Sequence, residues 1–344
     1  MRAVTFQAPG EVRIEEKPDP EVSAADEALV RVEASGICGS DLHIYHGRVP
    51  VEPGFTIGHE FVGTVLDAGP DVERVTVGDR VLGCFHTACA TCAACLRSDY
   101  HRCRNGQTFG HGSKLGDLQG AQAELLLVPR ANLTLRRVPE GMSDEVALFA
   151  GDVMGTGYHA VAHAGMRSGD TVAVLGLGPV GLCAVQAALA GGAVKVFAID
   201  TVEQRLQMAA AFGATPLHLV DDEPKRAVRA ATDGLGVDVV VDAVGDPAPL
   251  EMAISLARDA GTVSGIGAYA GRGEVPLGLA WLKGLTLRLG LANVIAHVDR
   301  VLGLLEAGKL DPAPLVTHHM KLDEAADAYA LYDQREAMKI VLTP

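Results

Sequence analysis

The sequence lacks the long apolar segments that membrane and exported proteins carry. No apolar run approaches the roughly 18 residues that a membrane span requires. The N-terminal segment, MRAVTFQAPG, has no apolar core of the length found in signal peptides. We therefore predict a soluble, cytoplasmic protein that does not associate with a membrane.

Positive charge is also scarce. The 344 residues include 29 Lys and Arg against 43 Asp and Glu, which gives a formal net charge of -14 at pH 7. Such a chain is repelled by a phosphate backbone or an anionic lipid surface, and no basic segment offsets the repulsion locally. Nucleic acid is therefore not expected as a partner, and a small-molecule substrate is.

Aromatic residues make up only 4% of the chain, whereas hydrophobic residues reach 48%. Abundant Ala, Val, Leu and Gly suit helices that pack closely on a buried parallel sheet, so the composition favours an α/β fold. A chain of this length exceeds what one hydrophobic core usually serves, and we expect two domains.

The pattern of predicted elements changes along the chain. As far as about Val128, short strands are broken by Gly, Pro and Asp, which predicts a mainly β region. From about Ala147, strands alternate with helices, which predicts a doubly wound parallel sheet. A last strand over Met338–Leu342 is assigned to the first region. The predicted domains are residues 1–152 with 291–344, and residues 153–290. The elements predicted in the second domain are strands over Thr171–Leu175, Val194–Ile199, Val237–Asp242, Gly261–Ile266 and Leu285–Leu289 and helices over Pro179–Ala190, Val202–Phe212 and Ala248–Arg258.

Three glycines, Gly176, Gly178 and Gly181, stand between a predicted buried strand and a predicted helix. In a dinucleotide-binding loop the first glycine turns the chain, the second lets the backbone approach the pyrophosphate, and the third allows close helix packing. The start of this helix, around Pro179 and Val180, would offer free amides and a positive dipole end to the phosphates. Taken alone, the motif is equally compatible with a plain glycine turn.

Asp200 strengthens the nucleotide interpretation. It ends the next predicted strand, 19 residues after Gly181. A carboxylate there accepts hydrogen bonds from both ribose hydroxyls and repels a 2′-phosphate, which favours NAD over NADP. The alternative is an ordinary helix N-cap, and Arg205 complicates the choice because it could contact the ribose or tolerate a phosphate.

Four of the seven cysteines, Cys89, Cys92, Cys95 and Cys103, fall within one short segment. Four thiolates are the number and type that close a tetrahedral zinc site and leave no position for a substrate. Because the chain is large and carries no export signal, zinc binding is a better interpretation than disulfides. We predict a structural zinc site.

A second set of metal-ligand residues is spread along the chain. Cys38 and His59 each lie in a glycine-flanked turn of the β-rich region. A third ligand is expected from far along the chain, and Asp152 is the best candidate. A thiolate, a carboxylate and a neutral imidazole balance Zn²⁺ to zero, which leaves a strong Lewis acid with a fourth position for water or alcohol.

The chain resembles the zinc-dependent medium-chain alcohol dehydrogenase family, in its bacterial alcohol and formaldehyde dehydrogenase-like branch, along essentially its whole length. The segments that carry the resemblance are GICGSDLHIYHG, GHEFVGTV, GDRV, the four-cysteine loop, GDVMGTGYHA, GLGPVG, Asp200 and the closing MKIVL. The resemblance implies a GroES-like catalytic domain, a Rossmann NAD domain and two zinc ions per chain. It also implies that Cys38, His59 and Asp152 hold the catalytic zinc.

The resemblance implies reversible oxidation of an alcohol to an aldehyde or ketone by hydride transfer from a zinc-bound alkoxide to NAD. Ser40 would accept the alcohol proton and His43 would pass it towards solvent. Glu60, next to a ligand, would lie behind the zinc or bind it transiently, and Asp41 would orient His59.

Further residues are carried over from the family. Thr156 and Ile266 would contact the nicotinamide, and Lys339 would reach the pyrophosphate. The apolar segment Leu285–Leu291, together with Trp281, would join subunits in a homotetramer or dimer, although it could equally be a plain edge strand.

Two other functions remain open. The glycine-rich motifs also occur in polyol and threonine dehydrogenases, which would share the zinc chemistry. A non-enzymatic nucleotide-binding protein is the alternative from a different class, because zinc-free relatives keep this fold without alcohol chemistry.

Overall fold

The structure is a computed structural model that describes residues 1–269 and 273–344. The chain divides into two units, Met1–Gly155 with Asn293–Pro344, and Thr156–Ala292. These boundaries lie within three residues of the predicted ones.

The first unit begins with short strands and few helices. Its strands are β1 (Arg2–Ala8), β2 (Glu11–Glu16), β3 (Ala28–Gly36), β4 (Phe55–Thr56), β5 (Glu60–Ala68), β6 (Arg80–Gly83), β7 (Leu125–Val128) and β8 (Leu135–Arg137). Its helices over this part are α1 (Gly39–Tyr45), α2 (Ala131–Thr134) and α3 (Asp144–Ala150).

Strands and helices alternate in the second unit. After α4 (Val153–Ala164), which crosses the boundary, the strands are β9 (Thr171–Leu175), β10 (Lys195–Asp200), β11 (Thr215–His218), β12 (Val237–Asp242), β13 (Ala257–Gly265) and β14 (Thr286–Leu289). The helices are α5 (Pro179–Ala190), α6 (Glu203–Ala211), α7 (Pro224–Ala230), α8 (Pro247–Leu256) and α9 (Leu277–Leu282). The chain then returns to the first unit with α10 (Val294–Glu306), β15 (His318–Lys321), α11 (Ala325–Asp333) and β16 (Ile340–Thr343).

The second unit contains a six-stranded parallel sheet in the order β11-β10-β9-β12-β13-β14. Numbered within the unit this is the order 3-2-1-4-5-6 of the Rossmann fold. Its central strands β9, β10 and β12 are largely buried and rich in Val and Ile because helices cover a parallel sheet on both faces. The predicted α/β class and doubly wound sheet are confirmed.

The first unit contains a three-stranded sheet, β2-β1-β4, and a larger sheet in the order β15-β16-β3-β5-β6-β8 with β7 paired to β3. Antiparallel pairing brings the end of β3 beside the start of β5, since Gly36 pairs with Glu60. The end of β6 and the start of β16 lie at the same end of the sheet. There Phe61 pairs with Gly83, and Val341 pairs with Gly36. Residues that are distant in sequence therefore meet there.

Among the residues described, no helix combines the length and apolarity that a bilayer crossing needs.

Candidate functional site

Cys38, His59, Glu60 and Asp152 form a buried cluster in the first unit. One ligand atom from each of the four lies within 4.8 Å of those of the others. The structure therefore brings together the three residues predicted to share a metal, although they are separated by up to 114 positions, from 38 to 152. Glu60, predicted to lie behind the metal, belongs to the same cluster.

The local backbone explains how each donor reaches the cluster. β3 ends at Gly36, and Cys38 is the N-cap of α1 with an extended backbone. His59 immediately precedes β5. Asp152 lies between α3 and α4, where Gly151 passes so close to β6 that an added Cβ would stand 2.1 Å from the Gly83 carbonyl oxygen.

Hydrogen-bonding groups fix the His59 ring on both sides. Its Nδ1 lies 3.1 Å from Asp41 Oδ1, and the other Asp41 oxygen accepts a hydrogen bond of 2.9 Å from the Cys38 amide. Its Nε2 lies 3.2 Å from both Asp152 Oδ2 and Ser40 Oγ. Asp41 is fully buried, so it orients the ring as a partner of a metal-ligating histidine would.

The ionisable groups of this cluster shift one another's pKa values. Burial lowers the pKa of His59, but the Asp41 and Asp152 carboxylates raise it well above its ordinary value. Burial raises the pKa of Asp152, whereas the hydrogen bond and charge of His59 lower it below its ordinary value. Burial and the Asp152 carboxylate raise the pKa of the Cys38 thiol. A buried thiol, imidazole and carboxylate at this separation match the donor types of a zinc site, and a bound zinc ion would displace the protons that His59 and Cys38 otherwise retain.

Lys339 is also part of this region, and its predicted contact with a pyrophosphate needs correction. The side chain has no solvent exposure, and its ammonium donates hydrogen bonds to Glu60 Oε1 and to the Ile37 carbonyl oxygen at 3.0 Å. Burial would lower the pKa of Lys339, but the Glu60 charge raises it. A fully buried ammonium that is already bound to a carboxylate does not present a phosphate site.

Ser40 and His43 lie on α1, one turn apart, as their spacing predicts. Both are half-buried, and Ser40 contacts the cluster directly through the His59 ring. Sequence reasoning did not place Phe85 or His111 beside His59, yet their ring centroids lie 6.3 Å and 4.9 Å from that of His59. Gly110 and Gly112 flank His111 in the sequence, but glycine-flanked residues are too common for this pattern to have identified it.

The four-cysteine cluster also forms in the first unit. Three of its sulfur pairs, Cys92–Cys95, Cys89–Cys95 and Cys92–Cys103, are 3.6, 3.9 and 3.9 Å apart. Tetrahedral zinc with Zn–S bonds of about 2.3 Å places its sulfur ligands about 3.8 Å apart, so the spacing fits this ion. Among the residues that the structure describes, none of these four cysteines forms a disulfide, so a disulfide does not explain the spacing.

In the second unit the glycine loop has the geometry of a phosphate-binding turn. Gly176 has a φ of +81°, a conformation that favours glycine, and an added Cβ at Gly181 would stand 1.8 Å from the Gly176 carbonyl oxygen. The space beside Gly178, the N-cap of α5, is open. Pro179 and Val180 follow as the first helical residues. Because proline has no N–H, the free amides of this helix start begin at Val180, and a helix start of this kind is where phosphates bind.

Asp200 ends β10 beside this loop. One carboxylate oxygen accepts a 2.6 Å hydrogen bond from the Leu177 amide, and the other accepts hydrogen bonds from the Thr201 and Val202 amides. Asp200 therefore connects the glycine loop to the turn that precedes α6. It is not the N-cap of α6, because that position is Val202 and no side chain caps the helix there. Arg205 lies 3.6 Å from its carboxylate.

The structure also describes the positions of the two residues predicted to contact the nicotinamide. Thr156 lies in α4 and is half-buried. Ile266 follows β13 at the carboxyl end of the parallel sheet, where its amide donates to the Asp242 carbonyl oxygen at 2.9 Å. Ligands of doubly wound sheets bind at this end of the strands.

Comparisons with known proteins agree with the two units. The family model described as "Alcohol dehydrogenase GroES-like domain" matches residues 24–140, and that described as "Zinc-binding dehydrogenase" matches residues 179–305. A probable zinc-binding alcohol dehydrogenase of Mycobacterium tuberculosis is 41% identical over 100% of this chain and 89% of its own length. The solved structure of an alcohol dehydrogenase from Thermus sp. ATN1 is 45% identical, covers 100% of this chain and 99% of its own, and superposes with a TM-score of 0.97.

Other similar proteins differ in substrate and cofactor. An L-threonine 3-dehydrogenase of Bacillus licheniformis is 33% identical over 100% of this chain and 99% of its own length. An alcohol dehydrogenase structure from E. coli CFT073 is complexed with NADH (28% identity, coverage of 100% and 99%, TM-score 0.90). A zinc-binding dehydrogenase structure from Sinorhizobium meliloti is bound to NADP (29% identity, coverage of 100% and 99%, TM-score 0.87).

Proposed function

Because this chain belongs to the zinc-dependent medium-chain alcohol dehydrogenase family, we propose that it oxidises an alcohol reversibly to an aldehyde or ketone, with NAD as hydride acceptor. The observation that carries the proposal is the convergence of Cys38, His59 and Asp152 in one buried cluster. This donor set is chemically different from the four thiolates of the second cluster and suits a reactive metal.

Cys38, His59 and Asp152 would hold the catalytic zinc. When bound there, zinc supplies a Lewis acid that lowers the pKa of an alcohol hydroxyl towards neutrality. Asp41, whose Oδ1 lies 3.1 Å from His59 Nδ1, would keep the His59 ring in position, with Nε2 directed at the cluster. Cys89, Cys92, Cys95 and Cys103 would hold a structural zinc.

The proton released by the alcohol needs a path out of a buried site. We assign its acceptance to Ser40, because the Ser40 hydroxyl already lies within hydrogen-bonding distance of the cluster at His59 Nε2. His43, one helical turn further and half-buried, would pass the proton towards solvent.

NAD is proposed in preference to NADP because the Asp200 carboxylate would repel a 2′-phosphate. The relatives cited above include one bound to NADH and one bound to NADP, so the family membership does not choose between them. Gly176, Gly178 and Gly181 would receive the pyrophosphate, and Thr156 and Ile266 would contact the nicotinamide.

A comparison of kcat/KM with NAD and with NADP tests this choice. Asp200→Asn keeps an acceptor for the Leu177 amide but removes the charge, and we expect the ratio of kcat/KM with NADP to that with NAD to rise about 10-fold or more. Glu203→Gln, which removes an exposed charge from the first turn of α6, is the matched control and should leave the ratio unchanged. Equal use of both cofactors by the wild type would contradict the assignment.

The substrate is tested by NADH formation across primary alcohols of graded length and branching, polyols and threonine. Turnover of simple alcohols supports the leading proposal, whereas exclusive turnover of a polyol or threonine supports the alternative within the family. Metal analysis separates an enzyme, with two zinc ions per chain, from a non-enzymatic nucleotide-binding protein, with one or none.

We also propose a homo-oligomer, either a tetramer or a dimer. β14 is an edge strand of its sheet, and Trp281, Leu289 and Leu291 nearby are exposed. Light scattering after size exclusion would measure the assembly, and a monomer at micromolar concentration would contradict the proposal.

A further inference from the structure

A further histidine, His111, lies beside the candidate metal cluster and has no part in the chemistry proposed above. Its ring centroid lies 4.9 Å from that of His59, with the two ring planes inclined at 62°. Only 8% of the residue is exposed, yet among the described residues its ring makes a single hydrogen bond, from Nδ1 to the Phe109 carbonyl oxygen at 2.9 Å. Because buried polar groups are normally paired, a ring with one unused nitrogen is a candidate for binding a ligand.

Main-chain contacts hold this ring next to His59. Gly110, which precedes His111, has a φ of +68°, a conformation that favours glycine. An added Cβ at Gly110 would stand 2.4 Å from the Gly58 carbonyl oxygen, so the loop lies directly against the turn that carries His59. The Gly110 amide also donates to the Leu118 carbonyl oxygen at 2.9 Å. The position of His111 is therefore fixed by the backbone and does not depend on a ligand.

The hydrogen bond to Phe109 decides what the unused nitrogen of His111 can do. A carbonyl oxygen only accepts, so Nδ1 carries the proton, and Nε2 of the neutral ring carries a lone pair. Burial lowers the pKa of His111, which favours the neutral ring. Although Nε2 has no partner among the described residues, it is not fully buried, so a ligand can reach it. The ring therefore presents an accessible hydrogen-bond acceptor beside His59.

A second ring near His59 has the opposite character. The Phe85 ring centroid lies 6.3 Å from that of His59, and Phe85 is 9% exposed. Its phenyl group offers hydrocarbon surface and no acceptor atom. A substrate held at the cluster would therefore find an apolar contact at Phe85 and a polar contact at His111. Apolar surface discriminates weakly between substrates, whereas a group that must hydrogen-bond the substrate discriminates strongly.

We propose that His111 determines substrate specificity by accepting a hydrogen bond from a second hydroxyl of the substrate. The preferred class is then alcohols with another hydroxyl one or two carbons from the reacting carbon, because His111 and His59 are close enough for one short diol to span. A monohydric alcohol would leave Nε2 without a substrate partner and would bind less well. The inference rests on the proposed function and names a substrate class for it.

Two substitutions separate this role from support of the loop. His111→Asn keeps an amide donor near the position of Nδ1 for the Phe109 carbonyl but has no atom at the position of Nε2. His111→Gln places an amide group near the position of Nε2, where it can accept. We expect the wild-type kcat/KM to be at least about 10-fold higher for the better of 1,2- and 1,3-butanediol than for 1-butanol. His111→Asn should lower this ratio at least about 5-fold, and His111→Gln should retain most of it. The matched control is His46→Asn, at an exposed histidine that contacts Asp333, and it should leave the ratio unchanged.

Nitrogen-15 NMR gives a readout that does not rely on turnover. In protein labelled at histidine with ¹⁵N, the His111 Nε2 resonance is assigned by its loss in His111→Asn. Addition of the better diol should move this resonance, because Nε2 gains a hydrogen bond, whereas 1-butanol at the same concentration should not.

The outcomes distinguish the specificity role from the function on which it rests. The role is wrong if the wild type uses the diols and 1-butanol equally well, or if His111→Asn lowers kcat/KM equally for both. It is also wrong if His111→Gln loses the preference as completely as His111→Asn, or if the diol leaves the Nε2 resonance unmoved. If the zinc-loaded wild type oxidises no alcohol in the presence of NAD, the proposed function itself fails.

Discussion

The two metal-capable clusters of the first unit are built in opposite ways. The four cysteines come from one continuous segment and are partly accessible, because Cys92 and Cys103 are not buried. The other cluster draws its donors from the ends of β3, β5 and α3, and all of them are buried. The four-cysteine cluster needs only its own loop to fold, whereas the cluster of Cys38, His59 and Asp152 forms only when the whole sheet of the first unit has formed.

The donor types differ as well. Four thiolates leave zinc with a net charge of 2- and no open position, which makes it a poor Lewis acid. One thiolate, one carboxylate and one imidazole give a neutral site with a position for substrate. With zinc in both clusters, as proposed, one unit would use the same ion for stability and for chemistry, because ligand charge and number decide what the ion does.

Loss of a ligand in the dispersed cluster should have the largest effect on activity. Cys38→Ser should reduce kcat by about 1,000-fold or more and remove one zinc per chain, because the site loses its only thiolate. Steady-state assays and metal analysis measure both effects. Cys84→Ala is the matched control, since burial raises the pKa of that thiol to about 12 and it lies outside both clusters. Full activity of Cys38→Ser would refute a catalytic metal at this position.

Weakening the support of His59 should have an intermediate effect. Asp41→Asn removes the charge beside His59 Nδ1 but keeps an acceptor for the Cys38 amide, and we expect zinc affinity at this site to fall about 10- to 100-fold. Competition with a chelator measures the affinity of each site separately. An unchanged affinity would show that Asp41 serves only the local backbone.

Loss of a ligand in the local cluster should mainly affect stability. Cys103→Ser should remove the other zinc and lower the melting temperature, while kcat per folded molecule changes less than about 10-fold, because metal binding at a closed site contributes to folding. Thermal denaturation and assays on the same preparation provide the measurement. A loss of kcat as large as that of Cys38→Ser, at unchanged stability, would contradict the division of roles.

The smallest expected effect concerns the pH at which the local site releases zinc. The Thr91 hydroxyl, 3.5 Å from Cys89 Sγ, is the largest cause that lowers the pKa of Cys89 to about 5. Thr91→Val should raise this pKa, so protons compete with zinc at higher pH and the release midpoint moves upward by a fraction of a pH unit. A colorimetric zinc assay over an acid titration would detect it, and a downward shift would contradict the explanation.

Much of the second unit could be predicted from sequence periodicity. The bounds of β9, α5 and β12 are as predicted, because these elements are mainly apolar and either end at aspartate or are followed by glycine. β11, α7 and α9 were missed. β11 contains Pro216, which argues against a strand, but it lies at the sheet edge, where proline is tolerated.

In the candidate site, too, groups that are close in sequence were easier to predict than groups that meet only in the fold. Spacing identified the four cysteines as one site. Cys38, His59 and Asp152 could be proposed as a set from their residue types, and the family resemblance then assigned them to the catalytic zinc. Lys339 was assigned elsewhere because nothing local reveals which carboxylate pairs with it. Its position in an apolar terminal segment could have indicated a buried lysine, which requires a partner such as Glu60.

The central claim is that Cys38, His59 and Asp152 share one metal ion. Anomalous diffraction at the zinc absorption edge from crystals of the zinc-loaded protein tests it most directly. We expect two peaks per chain, one of them about 2.0–2.3 Å from Cys38 Sγ, a His59 ring nitrogen and an Asp152 oxygen. A single peak among the four cysteines, with none beside Cys38, would contradict the account.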